Sequence, residues 1–276
     1  MQNAIRKVMR SARAWAIALA AVVTVATANK ADTPSTSPDQ ANAKKLVKLM
    51  SDYLASQKAI AFDFDTNLDV VTTQKQKVGL ASSGTLTLNR PDKISATRKG
   101  GFADVEFVSD GKTMTFLGKR ANAYAQVAAP ATIDQLVDVL RDKYHRPVPA
   151  ADLLMSNVYE QLIPQIVDAK DLGTGIIGGV ECDHVAFRSS DVDWEIWIAH
   201  GSRPYPCRYV ITSTEVTGAP QYTIDIRSWT TGAEVPSDRF SPTIPAGARK
   251  LDPADLHEFG DEVPAIFAVK RASGGR

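Results

Sequence analysis

The amino-acid sequence predicts an α+β fold: a long, curved antiparallel β-sheet with helices inserted into its concavity. Three observations carry this. Short strand-like runs recur at regular spacing with tight turns between them, which means hairpins rather than strand–helix–strand units. Ile60 to Val71 (IAFDFDTNLDVV) alternates apolar and polar residues almost without a break, the period of a half-buried strand. Helical periodicity is confined to two places, before the strands begin and midway between two sets of them.

The first helix is expected from Asp39, read as its cap, to about Gln57. Ala43, Leu46, Val47, Met50, Tyr53 and Leu54 share one face, while Lys44, Lys45, Lys48, Ser51 and Asp52 face out. In the strand that follows, Phe62, Phe64, Leu68 and Val70 line one side and Asp63, Asp65, Asn67 and Asp69 the other. That acidic row lacks the glycine and terminal glutamate of a calcium loop, so it reads as a solvated face. Strands are expected at 79–89, 93–99, 103–109, 112–117 and 123–127, with Asp110-Gly111 a strong hairpin signal. Thr132-Ile-Asp-Gln135 is a capping box opening a helix to about Tyr144, and two short helical pieces, 150–155 and 157–163, follow a Pro147-Val-Pro149 break.

Strands resume at 166–172 and 175–177. Then comes the densest stretch, Gly178 to Thr214, which holds both cysteines, two of the four histidines and two of the four tryptophans. It reads as three strands, 180–188, 193–199 and 207–214. Trp194, Ile196 and Ile198 alternate with Asp193 and Glu195, and Trp197 breaks the pattern, so both faces of that strand should be covered. Strands at 221–229 and near Phe240 close the chain. The organisation expected is a signal peptide (1–28), a flexible Pro/Ser/Thr-rich lead (29–38), one domain (39–251) and a tail (252–276).

Met1 to Ala28 has the pattern of a cleaved secretory signal. Arg6, Lys7, Arg10 and Arg13 precede an apolar run of about 13 residues, short of the ~20 that span a bilayer, and Ala26-Thr-Ala28 ends it. Without those four cations the 32 basic residues become 28, against 31 acidic. The mature chain is therefore mildly acidic, which argues against nucleic acid. No later stretch is apolar enough to span a membrane. Export to the periplasm makes a Cys182–Cys207 disulfide the expectation, closing a loop of roughly 25 residues worth about 3 kcal/mol. Its geometry is demanding, because two strands of a meander separate the cysteines by about 9–10 Å and a disulfide needs about 7 Å or less. Two independent buried thiols are the alternative.

No catalytic signature is present: no H-E-x-x-H, G-x-S-x-G, phosphate-cradling glycine loop or C-x-x-C. Asp183 and His184 are neighbours on a strand and point to opposite faces, so His184 reads as a hydrogen-bonded strand residue. No catalytic residue, metal ligand or cofactor is assigned. The residues that can bind something are apolar: Phe62, Phe64, Leu68, Leu86, Leu88, Trp194, Ile196, Ile198, Tyr209 and Ile211 would line the concave side of the sheet.

The ordered elements MSDYLAS, NRPDK, DGKT, YAQVAAP, TID, LLMSNVY, GVECDHVAF, VDWEIWI, PYPCRYVIT and FSPTIPAGARK, from about Ala43 to Leu251, resemble the predicted periplasmic proteins of domain-of-unknown-function family 2092. That family is similar in fold to the LolA/LolB-like lipoprotein carriers, whose unclosed half-barrel wraps over helices around an apolar cavity. The resemblance implies this architecture and, as a role, non-covalent carriage of a lipid or an acylated lipoprotein. The alternative is an envelope sensor or scaffold with a filled core and a protein partner. No lipid-attachment cysteine stands at the expected cleavage site.

Overall fold

The computed structural model describes residues 37–100, 103–144, 150–232 and 237–253. The expected signal peptide, the Pro147-Val-Pro149 break and most of the 252–276 tail lie outside these residues. Among them, twelve strands form one unclosed sheet in the order β12-β6-β5-β4-β3-β2-β1-β11-β10-β9-β8-β7. They are β1 (Ala59–Val71), β2 (Lys77–Asn89), β3 (Lys93–Gly100), β4 (Asp104–Asp110), β5 (Thr113–Gly118), β6 (Ala123–Ala128), β7 (Asp168–Ile177), β8 (Val180–Arg188), β9 (Val192–Ala199), β10 (Pro206–Ser213), β11 (Gln221–Thr231) and β12 (Arg249–Lys250). Two meanders, β1–β6 and β7–β11, are thus joined where β1 pairs with β11. The helices are α1 (Pro38–Ser56), α2 (Ile133–Asp142) and α3 (Val158–Leu162), with a 3-10 turn at Ala151–Leu154.

Each helix begins where its sequence allows. Ser37, not Asp39, caps α1: its Oγ accepts from the Gln40 N–H at 3.2 Å, and Pro38 fits the first turn, where its missing N–H costs nothing. Asp39 instead lies in that turn and complements the helix dipole. In α2 the capping box forms as the spacing predicts, the Thr132 hydroxyl accepting from Gln135 N–H at 3.2 Å.

The alternating residues of β1 set the concave face. Cross-strand register puts Phe62 opposite Leu86, Phe64 opposite Gly84 and Ile226, and Leu68 opposite Leu80 and Tyr222. Gly84 is there because the Phe64 ring crosses over it: a Cβ would fall 2.5 Å from that ring and 2.0 Å from the Thr97 carbonyl oxygen. On this face α1 (Ala43, Val47, Met50, Leu54) and α2 (Ile133, Leu136, Leu140) pack in one cluster with residues of nearly every strand. Burial of that apolar surface is the main force curving the sheet around its helices.

Three expectations are corrected. The strand near Phe240 is a 3-10 turn, Ser237–Phe240, packed against β3 and β4. Phe240 is buried there, outside the cluster of the concave face. Strands 166–172 and 175–177 are one strand, β7, interrupted by a bulge between Asp171 and Thr174 where Gly173 takes φ +81°.

The third correction is the disulfide: Cys182 and Cys207 are free thiols, both buried. They sit on β8 and β10 with β9 between, Cys182 lying opposite Ala199. A bulge at Pro206/Arg208 brings Cys207 into the same small cluster, over Ala199. The two thiols lie within hydrogen-bonding reach of one another there and carry no disulfide. Burial pushes both thiols above the usual cysteine range, which suppresses the reactive thiolate.

Candidate functional site

The structure brings most of the sequence-predicted residues together. Phe62, Phe64, Leu86, Leu88, Trp194, Ile196, Ile198 and Tyr209 are all buried in the single cluster shared with the helices, and Ile211 packs against it half-buried. Leu68 is buried on the same face, outside that cluster. The aromatic members lock one another: Trp194 stacks on Phe187 at 4.1 Å and meets Tyr209 edge-on at 5.8 Å. Over the centre of the sheet the helices therefore occupy the concavity.

At the margin they do not. A cleft of about 340 Å³ opens between α1 and the β9–β10 turn, within the ~300–1,000 Å³ of small-ligand sites. One wall is Leu46, Leu49 and Tyr53 of α1; the other is Asp183 of β8, Ile198 and Ala199 of β9, and Gly201, Ser202 and Pro204 of the turn. Of the strand residues predicted to line the concave side, Ile198 reaches it. Leu49 is half exposed, an apolar side chain at the mouth. The α1 wall follows from spacing: Leu46, Leu49 and Tyr53 stand at i, i+3 and i+7, a second stripe beside the one that enters the core.

The far end of α1 is pinned by an aromatic column. Trp229 stacks between Phe62 (5.4 Å) and Tyr205 (5.1 Å), and its indole N–H donates to the Tyr53 hydroxyl at 3.4 Å. Trp229 reaches this position because Ser228, at φ +54°, bulges β11 opposite Ala61–Asp63. The near end is held by two polar contacts at the surface, the part-buried Gln40 to Asp168 (3.3 Å) and the exposed Asn42 to Asp171 (2.6 Å).

Asp183 is the one charged side chain in the cleft wall. Its carboxylate receives His200 Nδ1 at 3.1 and 3.2 Å, a pairing between the strand and the turn. The hydrogen bond and charge of Asp183, with Glu181 nearby, raise the His200 pKa above its ordinary value. His184 belongs elsewhere. It stacks on Trp197 at 3.9 Å on the opposite face and bonds Glu195 at 2.9 Å, the hydrogen-bonded strand residue the sequence predicts. Arg208 also lies over that indole, 5.7 Å from its centre. So the outer face of Trp197 is covered by side chains and needs no further element.

Sequence reasoning missed Leu49, Ser202, Pro204 and the role of Asp183. Leu49 could have been found as the apolar residue left over from the core stripe. The turn residues had no local signal, because nothing in HGSRPYP says what lies across from it. Among the described residues no group of three or more His, Cys, Asp or Glu could hold a metal ion, and no helix is long and apolar enough to cross a membrane.

Residues 43–252 match the family model described as "Predicted periplasmic protein (DUF2092)". No curated protein matches the chain. Among solved structures it is similar to the lipoprotein LppX of Mycobacterium tuberculosis, at 13% identity and a TM-score of 0.45 over 71% of this chain and 99% of that one. It is similar to a chain of the Pseudomonas aeruginosa MucA/MucB complex at 13% identity and a TM-score of 0.42, over 73% of this chain and 61% of the other. A LolA superfamily protein of Nitrosomonas europaea matches at 8% identity and a TM-score of 0.34, over 72% and 97%.

Proposed function

The chain belongs to the DUF2092 family of predicted periplasmic proteins, and from that premise we propose that it is exported and binds a hydrophobic ligand, a lipid or acylated terminus, non-covalently. The observation that carries this reading is the largely apolar cleft at the margin of α1, which shares Ile198 with the buried cluster of Phe62, Phe64, Leu86, Leu88, Trp194, Ile196 and Tyr209. An acyl chain entering there gains about 0.8 kcal/mol per buried CH₂. The cleft takes the first segment, and displacement of α1, whose near end is tied by polar contacts at the surface, opens the deeper face to the rest. No cofactor, metal or covalent chemistry is part of this reading.

The test is native mass spectrometry of the mature protein purified gently from the periplasm, followed by organic extraction. The expected result is a discrete added mass that extracts as lipid. Leu49→Glu should keep the fold, since surface changes shift stability by about 0.5 kcal/mol or less, and should lose most of that added mass. A clean apo mass, with no uptake of fatty acid by delipidated protein, overturns the proposal.

A second reading, an envelope sensor or scaffold, draws on β7. This edge strand exposes Leu172 and Ile176, just after an exposed Val167, and exposed sheet edges pair readily with another chain. Co-purification of one stoichiometric protein without lipid would favour it.

A further inference from the structure

We infer that the cleft selects its cargo by the head as well as the chain, and that the head it takes is a primary ammonium; this rests on the reading that the cleft holds an acyl chain. The wall is largely apolar, with the Tyr53 and Ser202 hydroxyls as its neutral polar groups and one charged side chain. That side chain is Asp183, only 19% exposed and facing Leu46, Leu49 and Tyr53 across the gap. A carboxylate is an acceptor only, with about four lone-pair directions over its two oxygens. His200 Nδ1 reaches both oxygens from the turn side, at 3.1 and 3.2 Å, which leaves the remaining acceptor positions for water or a ligand in the cleft.

Among the surrounding charges, His200 when protonated offsets Asp183 in part, and the other groups leave the balance negative. Glu181, the next acidic residue on β8, adds negative potential to this end of the strand and acts on His200. Lys48 of α1 is tied to Asp52 on its own helix. Arg203 of the turn is exposed and is not part of the wall. A carboxylate or phosphate head seated in the cleft would meet Asp183 charge to charge. An ammonium head would meet it with opposite charge and donate up to three hydrogen bonds, to the acceptor positions of Asp183 that His200 leaves open and to the Ser202 hydroxyl of the same wall. The ligand class is therefore a single-chain amphiphile with an ammonium head, its chain running along Leu46, Leu49 and Ile198.

Calorimetric titration of the full mature protein with three twelve-carbon amphiphiles below their micelle concentrations tests this. Dodecylammonium should bind about tenfold tighter than dodecanoate, the scale of one charge-assisted hydrogen bond. Dodecyltrimethylammonium, which keeps the charge but has no N–H, should fall between them. Asp183→Asn should bring dodecylammonium and dodecanoate to within about threefold, because the amide removes the charge. His200→Gln, at an exposed position, should instead widen the preference by freeing the carboxylate. Dodecanoate binding as tightly as dodecylammonium, or a preference that survives Asp183→Asn, overturns the head assignment and leaves the cleft standing. Binding of none of the three overturns the cleft itself.

Discussion

The middle of the concave face and its margin over β8 and β9 are built from the same kinds of residue, yet one is filled and the other open. In the middle, Leu88 of β2 and Met50 of α1 are both fully buried, and α1, α2 and the sheet interlock in one cluster. At the margin, Leu49 remains half exposed one residue away from Met50 on the same helix. The difference is angular. Successive residues of a helix point about 100° apart, so Met50 enters the core while Leu49 faces the β9–β10 turn. The turn residues that line the space there, Gly201, Ser202 and Pro204, send back no bulky side chain. An apolar wall opposite small residues leaves space, and space lined on one side by Asp183 is more useful for recognition than for stability.

Truncation at the two places should separate these roles most sharply. Leu88→Ala should cost about 2–5 kcal/mol, because a fully enclosed site cannot collapse around the lost atoms. Its thermal midpoint should fall by about 5–15 °C. Leu49→Ala should change stability by about 0.5 kcal/mol or less. Equal losses for the two variants in denaturant unfolding would show that the margin is packed like the centre.

Gly84→Ala probes the filled region from the other direction. The new methyl would sit 2.0 Å from the Thr97 carbonyl oxygen, so the β2–β3 backbone must shift, at a cost of about 1–3 kcal/mol. A neutral result would mean that Phe64 does not cross the strand at this glycine.

The smallest effect belongs to the margin and to pH. The folded pKa of His200 is raised by its hydrogen bond to Asp183, so its pairing contributes stability fully below the unfolded value near 6.5 and loses it as pH rises through the higher folded value. Histidine NMR titration should show His200 titrating above ordinary histidine. In His200→Gln the loss of stability between the unfolded value and the higher folded value should disappear. A His200 titration at or below the ordinary value would remove the pairing.

Much of this fold was legible because it is written in local periodicity. Phe62, Phe64, Leu68 and Val70 alternate because one face of β1 is buried, and Asp110-Gly111 marks the β4–β5 hairpin because Gly111 takes φ +90°. The apolar residues proposed for binding were found together on one face for the same reason. What was not legible depends on partners distant in the chain. The pairing of β1 with β11 joins Phe64 to Ile226, and β12 adds Arg249 and Lys250 in parallel to β6. A two-residue strand has no periodicity to read. The cysteines show the limit of inference from compartment alone: an oxidising environment allows a disulfide, but Cys182 and Cys207, on the strands either side of β9, are free thiols.

By itself the sequence determined the alternation of β1, the capping box that starts α2, the family and the apolar face that the molecule turns inward. These are properties of nearest neighbours along the chain, where φ/ψ preference, capping and side-chain periodicity act. Only the tertiary structure decided that α1 fills the centre of the concavity and leaves its margin open. It also decided that His200 closes on Asp183 rather than joining His184, and that the two thiols stay unbonded. Those outcomes depend on distances of a few ångströms between segments tens of residues apart, and no local pattern encodes them.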